Sequence, residues 1–89
     1  MKELRQQIEQ LTGLDISKRT RQYDYVVARH FYFYLCRFKL KEYVRTVDIG
    51  ASIGFNHTSV SYGTSAVMNR HYENNKNAKK INNLLNQLT

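Results

Sequence analysis

An apolar and aromatic run over residues 21–38 constrains the fold more than any other part of the sequence. It contains neither Gly nor Pro, and its apolar residues recur at spacings of three and one, as on one face of an α-helix. A strand is disfavoured because the run is too long and because alternation fails at Val26-Val27. One stripe carries Tyr23, Val26, Val27, His30, Phe31, Tyr34, Leu35 and Phe38, and a second carries Tyr25, Arg29, Tyr32 and Cys36. We therefore predict a central helix that is covered on two faces.

Shorter apolar stripes predict helices at both ends of the chain. Leu4, Ile8 and Leu11 mark a first helix that is expected to end near Gly13. A last helix is expected from about Ala78, with a stripe formed by Ile81, Leu84, Leu85 and Leu88. Together with the two helices predicted between residues 46 and 71, these segments predict an all-α fold, a compact five-helix bundle.

A helix-turn-helix is predicted over about residues 47–71. Ile49 and Ile53 are four residues apart, as on one face of a short helix, and Gly54 is expected to end it. Asn56 is expected to cap the second helix.

Further residues refine these two helices. Thr46 is the expected cap of the first one, and the second is expected to run to about His71. Gly63 lies inside the second helix, where it suits a close-packing position.

Three polar residues occupy the first turn of the second helix. His57, Thr58 and Ser59 carry hydrogen-bonding groups, and a recognition helix uses its N-terminal residues to reach base edges in the major groove. The competing interpretation is that Asn56, Thr58 and Ser59 are only capping and turn residues.

The distribution of charge favours a polyanionic partner. The chain carries 14 Lys and Arg against 7 Asp and Glu, a formal net charge of +7. Between residues 18 and 45 there are eight cations and two acids, so this window carries +6 (8 − 2). Lys18, Arg19 and Arg21 form a cluster ahead of the central helix, where they can meet phosphates or enter a minor groove. Nucleic acid is therefore the expected partner.

The sequence predicts a binding protein rather than an enzyme. His30, His57 and His71 have no Cys or carboxylate at metal-ligand spacing, and the acids are scattered. Cys36 lies on a helix stripe that suits a structural thiol. There is no Gly-x-x-x-x-Gly-Lys loop, so we expect no nucleotide, no metal and no other cofactor.

Length and composition limit where such a protein acts. With 89 residues, the chain is expected to be one domain, 1–89. Its single cysteine favours a reducing compartment, and no window approaches the roughly 18 apolar residues of a membrane span. Residues 1–15 lack a signal-peptide core. We expect a cytoplasmic protein without a membrane partner, and the oligomeric state stays open, with a monomer as one option.

The aromatic residues leave an alternative, an RNA-binding or protein-interaction module. Seven Tyr and four Phe would stack on unpaired bases if they were exposed. Most of them fall on the central helix, where core packing is favoured. Tyr43 and Tyr62 fit no core stripe cleanly and are expected at the surface.

Several short motifs resemble the C-terminal DNA-binding domain (domain IV) of the bacterial replication initiator DnaA. They are Ser17-Lys18-Arg19, Val27-Ala28-Arg29, Asp48-Ile49-Gly50 and Gly54-Phe55-Asn56-His57-Thr58-Ser59-Val60. The resemblance implies a Trp-repressor-like helix-turn-helix that reads a short duplex element. It also implies a role in replication initiation or its regulation at the bacterial nucleoid, with a transcriptional repressor as the alternative.

The resemblance also implies roles for particular residues. His57, Thr58 and Ser59 would contact bases or phosphates, Arg19 or Arg21 would enter the minor groove, and Arg29 would brace or contact the backbone. The full set of expected DNA contacts is Lys18, Arg19, Arg21, Arg29, Arg45, Asn56, His57, Thr58, Ser59 and Tyr62.

The chain departs from the DnaA pattern directly before His57. Where that family has Arg-Asp, this chain has Phe55-Asn56. A neutral Asn56 suits adenine rather than cytosine, so a different sequence preference is expected.

Overall fold

The structure, a computed structural model, describes residues 1–40, 43–69 and 75–88, apart from the side chain of Asn77. These residues contain five α-helices and no strand. The helices are α1 (Lys2–Thr12), α2 (Tyr23–Phe38), α3 (Thr46–Ala51), α4 (His57–Met68) and α5 (Lys76–Leu85), followed by a 3-10 turn at Asn86–Leu88. The predicted all-α bundle is confirmed. No helix in these ranges is both long and apolar enough to cross a membrane.

The central helix α2 packs against all four of the other α-helices. Every residue from 27 to 33 is buried, as are Leu35 and Cys36. The prediction that this helix is covered on two faces is confirmed. The buried surface of α2 extends beyond the two predicted stripes, since Phe33 belongs to neither stripe and is 0% exposed.

Two residues of the predicted core stripe lie at the surface. Tyr23 is 53% exposed and Phe38 is 50% exposed. Placing them in the core was wrong, because they are the first and last residues of α2 and extend beyond the helices that cover its middle.

The terminal helices follow the predicted stripes. α1 ends at Thr12, and Gly13 is its C-cap, with a φ of 71° and an N–H that donates to the carbonyl of Glu9. α5 begins at Lys76, slightly before the predicted Ala78. The Asn75 Oδ1 accepts a hydrogen bond from the Ala78 N–H at 3.0 Å, as an N-cap residue does.

The predicted cap of the third helix was wrong. Thr46 is the first residue of α3, and Arg45 occupies the N-cap position without a side-chain cap bond. The Thr46 hydroxyl instead accepts a hydrogen bond from Arg37 Nη1 at 2.8 Å. This bond ties the end of α2 to the start of α3.

Gly63 brings α4 close to α2, as predicted. A Cβ at this position would lie 2.7 Å from His30 Cδ2 and 2.9 Å from Phe33 Cδ2, closer than side chains normally approach. α4 ends at Met68, and the predicted end at His71 lies outside the described residues.

The packing of Phe33 generates a test of the core. Phe33→Ala is expected to lower the free energy of unfolding by about 3 to 5 kcal/mol, because it removes a fully buried ring. Phe38→Ala, at the exposed end of the same helix, is expected to cost about 0.5 kcal/mol. Urea unfolding followed by circular dichroism measures both values. Similar losses for the two variants would contradict this description of the core.

Candidate nucleic-acid interface

The turn between α3 and α4, residues 52–56, folds back onto the end of α3. The Phe55 N–H donates to the Gly50 carbonyl at 2.8 Å, and a Cβ on Gly50 would collide with the carbonyl oxygens of Phe55 and Asn56. Gly54 was predicted to end the helix, but α3 already ends at Ala51 and Gly54 lies in the turn with φ 80°. Gly50 and Gly54 therefore fix the path by which the chain enters α4.

A partly buried pair of hydroxyl groups anchors this turn to α2. Tyr32 Oη lies 2.6 Å from Ser52 Oγ, which itself donates to the Ile49 carbonyl at 2.6 Å. A serine hydroxyl has one proton, so Tyr32 is the donor in the first bond. Burial raises the pKa of Tyr32 to about 12, so this hydroxyl stays protonated well above neutral pH.

Asn56 is the N-cap of α4, as predicted. Its Oδ1 accepts a hydrogen bond from the Ser59 N–H at 2.9 Å. The next two residues, His57 and Thr58, are exposed, whereas Ser59 is half-buried and Val60 is fully buried. The first turn of α4 is thus anchored by Val60 and presents His57 and Thr58 outward. Base contacts by these residues stay a prediction.

Tyr62 continues the exposed face of α4. It lies four residues after Thr58, one helical turn further on, and is 65% exposed. Its ring packs edge-on against His30, with 5.7 Å between centroids. Tyr62, Phe33, Phe55 and Thr58 are among the residues that line a cavity of about 320 Å³. The polar first turn of α4 therefore adjoins an aromatic cavity.

Arg29 is buried and holds the basic loop, residues 16–22. Its Nε donates to the Ile16 carbonyl at 3.2 Å, and its Nη2 lies 2.7 Å from the Lys18 carbonyl and 3.5 Å from the Thr20 carbonyl. Only 7% of the residue is exposed, and this burial lowers the pKa of its guanidinium. Its donors are directed at the loop, which favours the bracing role over a phosphate contact.

Arg19 joins the basic loop to the turn. Its Nη2 donates to the Gly54 carbonyl at 2.6 Å, and its Cζ lies 5.2 Å from the centroid of the Phe55 ring. Arg29 Cζ lies 4.3 Å from the same centroid. We call Arg19, Gly54, Phe55 and Arg29 the loop–turn latch, because these residues connect the basic loop, the turn and α2.

The other three expected cationic contacts are exposed and differ in their partners. Lys18 Nζ lies 5.4 Å from the centroid of the Tyr25 ring, and Arg21 has no hydrogen bond, ion pair or ring contact within the described residues. Arg45 makes two bonds to the Asp48 carboxylate, at 2.9 and 3.3 Å, and this hydrogen bonding raises the pKa of Arg45. Arg45 also precedes α3, at the opposite end of that helix from the turn.

Phe55 is the residue of this surface that sequence patterns did not identify. It belongs to no apolar stripe, and its partners Arg19 and Arg29 are distant along the chain. Phe55 lies between Gly54 and the helix cap Asn56, and in the sequence it was notable only because it departs from the DnaA pattern.

Potential metal-ligating side chains do not cluster in the part of the chain that the structure describes. It contains no group of three or more His, Cys, Asp or Glu side chains that could hold a metal ion. Cys36 is 1% exposed, and burial raises its pKa to about 11, so it is a protonated core thiol at neutral pH.

Comparisons with known proteins identified no relative of this chain. A scan against protein-family models, a search of curated proteins and a search of solved structures each found no match to this chain. The resemblance to the DnaA family therefore rests on the short motifs alone.

Proposed function

We propose that the chain is a sequence-specific double-stranded DNA-binding domain in which α3, the turn and α4 act as a helix-turn-helix. The observation that carries this proposal is the 2.6 Å hydrogen bond from Arg19 Nη2 to the Gly54 carbonyl. It sets the basic loop against the turn that leads into α4. Cations suited to phosphates and polar groups suited to base edges thereby lie on adjoining elements, which can engage the backbone and the major groove together.

The first turn of α4 supplies the sequence-reading groups. His57 and Thr58 are exposed, and no hydrogen bond within the described residues engages their side chains. The Asn56 Oδ1 is used by the cap, but its amide group remains a donor at the surface. His57 and Thr58 are therefore the main readers, and Tyr62 follows them one turn later.

The basic loop supplies the backbone and minor-groove contacts. Arg21 is the better candidate for the minor groove, because Arg19 is already bonded to the turn and Arg21 has no partner within the described residues. Lys18 and Arg19 face phosphates. Arg29 acts as a positioning residue, and Arg45 contributes less because Asp48 offsets its charge.

Burial of the aromatic residues favours a duplex over single-stranded RNA. Phe31, Tyr32 and Phe33 are in the core and cannot stack on bases. Tyr43 and Tyr62 are 85% and 65% exposed, as predicted, and Tyr23 and Phe38 are about half exposed. Within the described residues, no ring contact joins any two of these four rings, so they do not form a continuous stacking surface.

The biological context is proposed from the resemblance to DnaA. A chain with these motifs would bind a short duplex element at the bacterial nucleoid and act in replication initiation or its regulation. A transcriptional repressor would use the same surface, and the location of the bound sites, at an origin or at promoters, distinguishes the two roles.

The charge of the basic loop predicts strong salt dependence. If three to five phosphates are contacted, log K for a duplex should fall with log salt at a slope of roughly −3 to −4.5. Lys18→Ala should reduce the magnitude of this slope by about one unit for any duplex sequence. Fluorescence anisotropy over a salt series measures the slope, with single-stranded RNA of equal length as competitor. A slope near zero, or preferential displacement by the RNA, would contradict the proposal.

His57 is expected to affect specificity more than general affinity. After selection of a preferred duplex from a random pool, His57→Ala should lower the preference over random duplex by about 1 to 3 kcal/mol. Ser65→Ala is the matched control, since Ser65 is exposed on the same helix but lies two turns further on. If both variants keep the preference of the parent chain, the first turn of α4 does not read bases.

A further inference from the structure

Phe55 contacts cations from two different segments. The Cζ atoms of Arg19 and Arg29 lie 5.2 and 4.3 Å from its ring centroid, within the range of a cation–π interaction. Its ring also packs edge-on against Phe33, with 6.3 Å between centroids. Phe55 is thus fixed by the core on one side and contacts the guanidinium groups on the other.

The two guanidinium groups are close enough to affect each other. After burial, the positive charge of Arg19 is the second cause that lowers the pKa of Arg29. Two neighbouring cations repel, and an aromatic ring offsets this repulsion because its faces carry partial negative charge. An aliphatic side chain would fill the same space but would lack the partial negative charge of the ring faces.

The residues on either side of Phe55 make the same connection. Gly54, directly before Phe55, accepts the hydrogen bond from Arg19, and Asn56, directly after it, caps α4. Phe55 therefore lies between the residue that contacts the basic loop and the residue that caps α4.

We infer that Phe55 is a positioning residue whose aromatic ring holds the basic loop and the first turn of α4 in one fixed register for the DNA duplex. This inference rests on the proposed function. The ring need not touch DNA; it sets the spacing between the phosphate contacts and the base contacts. Phosphate contacts carry no sequence information, so we expect an error in this spacing to lower specificity more than general affinity.

The free protein provides the first test. Ring currents of Phe55 should shift the side-chain protons of Arg19 and Arg29 upfield in NMR spectra of the unmutated chain. Phe55→Leu should remove both shifts and increase amide exchange at Lys18 and Thr20 about threefold to tenfold. Phe55→Tyr keeps the ring and should retain both properties. Absence of the shifts in the unmutated chain overturns the inference, even if Phe55→Leu fails to fold.

DNA binding provides the second test. Phe55→Leu should reduce the ratio of preferred to random duplex affinity about tenfold, with less than about a threefold change for random duplex, and Phe55→Tyr should restore the ratio. Phe38→Leu is the matched control, because Phe38 also lies near a guanidinium, that of Arg37 at 5.9 Å, but outside the latch. A Phe55→Leu variant that keeps the ratio overturns the inference. If the unmutated chain shows no duplex binding, the proposed function fails, and the NMR shifts still decide whether the latch exists.

Discussion

A guanidinium is removed from water at a tolerable cost only when its donors meet acceptors, and Arg29 meets this condition with carbonyls of the basic loop. That requirement sets the conformation of the loop, because the carbonyls of Ile16 and Lys18 must both face α2. Lys18 and Arg21, in the same loop, are exposed. The buried Arg29 thus holds the loop that carries the exposed cations. Loss of Arg29 would release this loop and leave the loop carbonyls without their hydrogen-bond donor.

The same central helix carries the core and the candidate interface. Tyr32 anchors the turn through Ser52, and Phe33 packs against Phe55. Gly63 lets α4 approach the same stretch of α2. The elements of the proposed DNA-binding surface therefore have few independent degrees of freedom, which would keep phosphate and base contacts at a fixed spacing.

Periodicity predicted the helices because the burial of a helical residue depends mainly on its spacing from other apolar residues. Residue type predicted the Asn56 cap, which uses a donor three residues away. Neither periodicity nor residue type predicted the contacts between segments that are distant along the chain. Thr46 bonds to Arg37 instead of capping α3, and the position of Phe55 depends on two arginines from other segments. The polar candidates of α4 were identifiable by residue type, whereas the latch that positions them required three-dimensional contacts.

Backbone and arginine side-chain NMR during titration with a duplex tests the central claim most directly. At low salt, the amides of residues 18–21 and 54–59 and the side chain of Arg19 should shift together and give one dissociation constant, because the latch joins the two elements. Shifts confined to α1 and α5, or separate dissociation constants for the loop and for α4, would contradict a single DNA-binding surface.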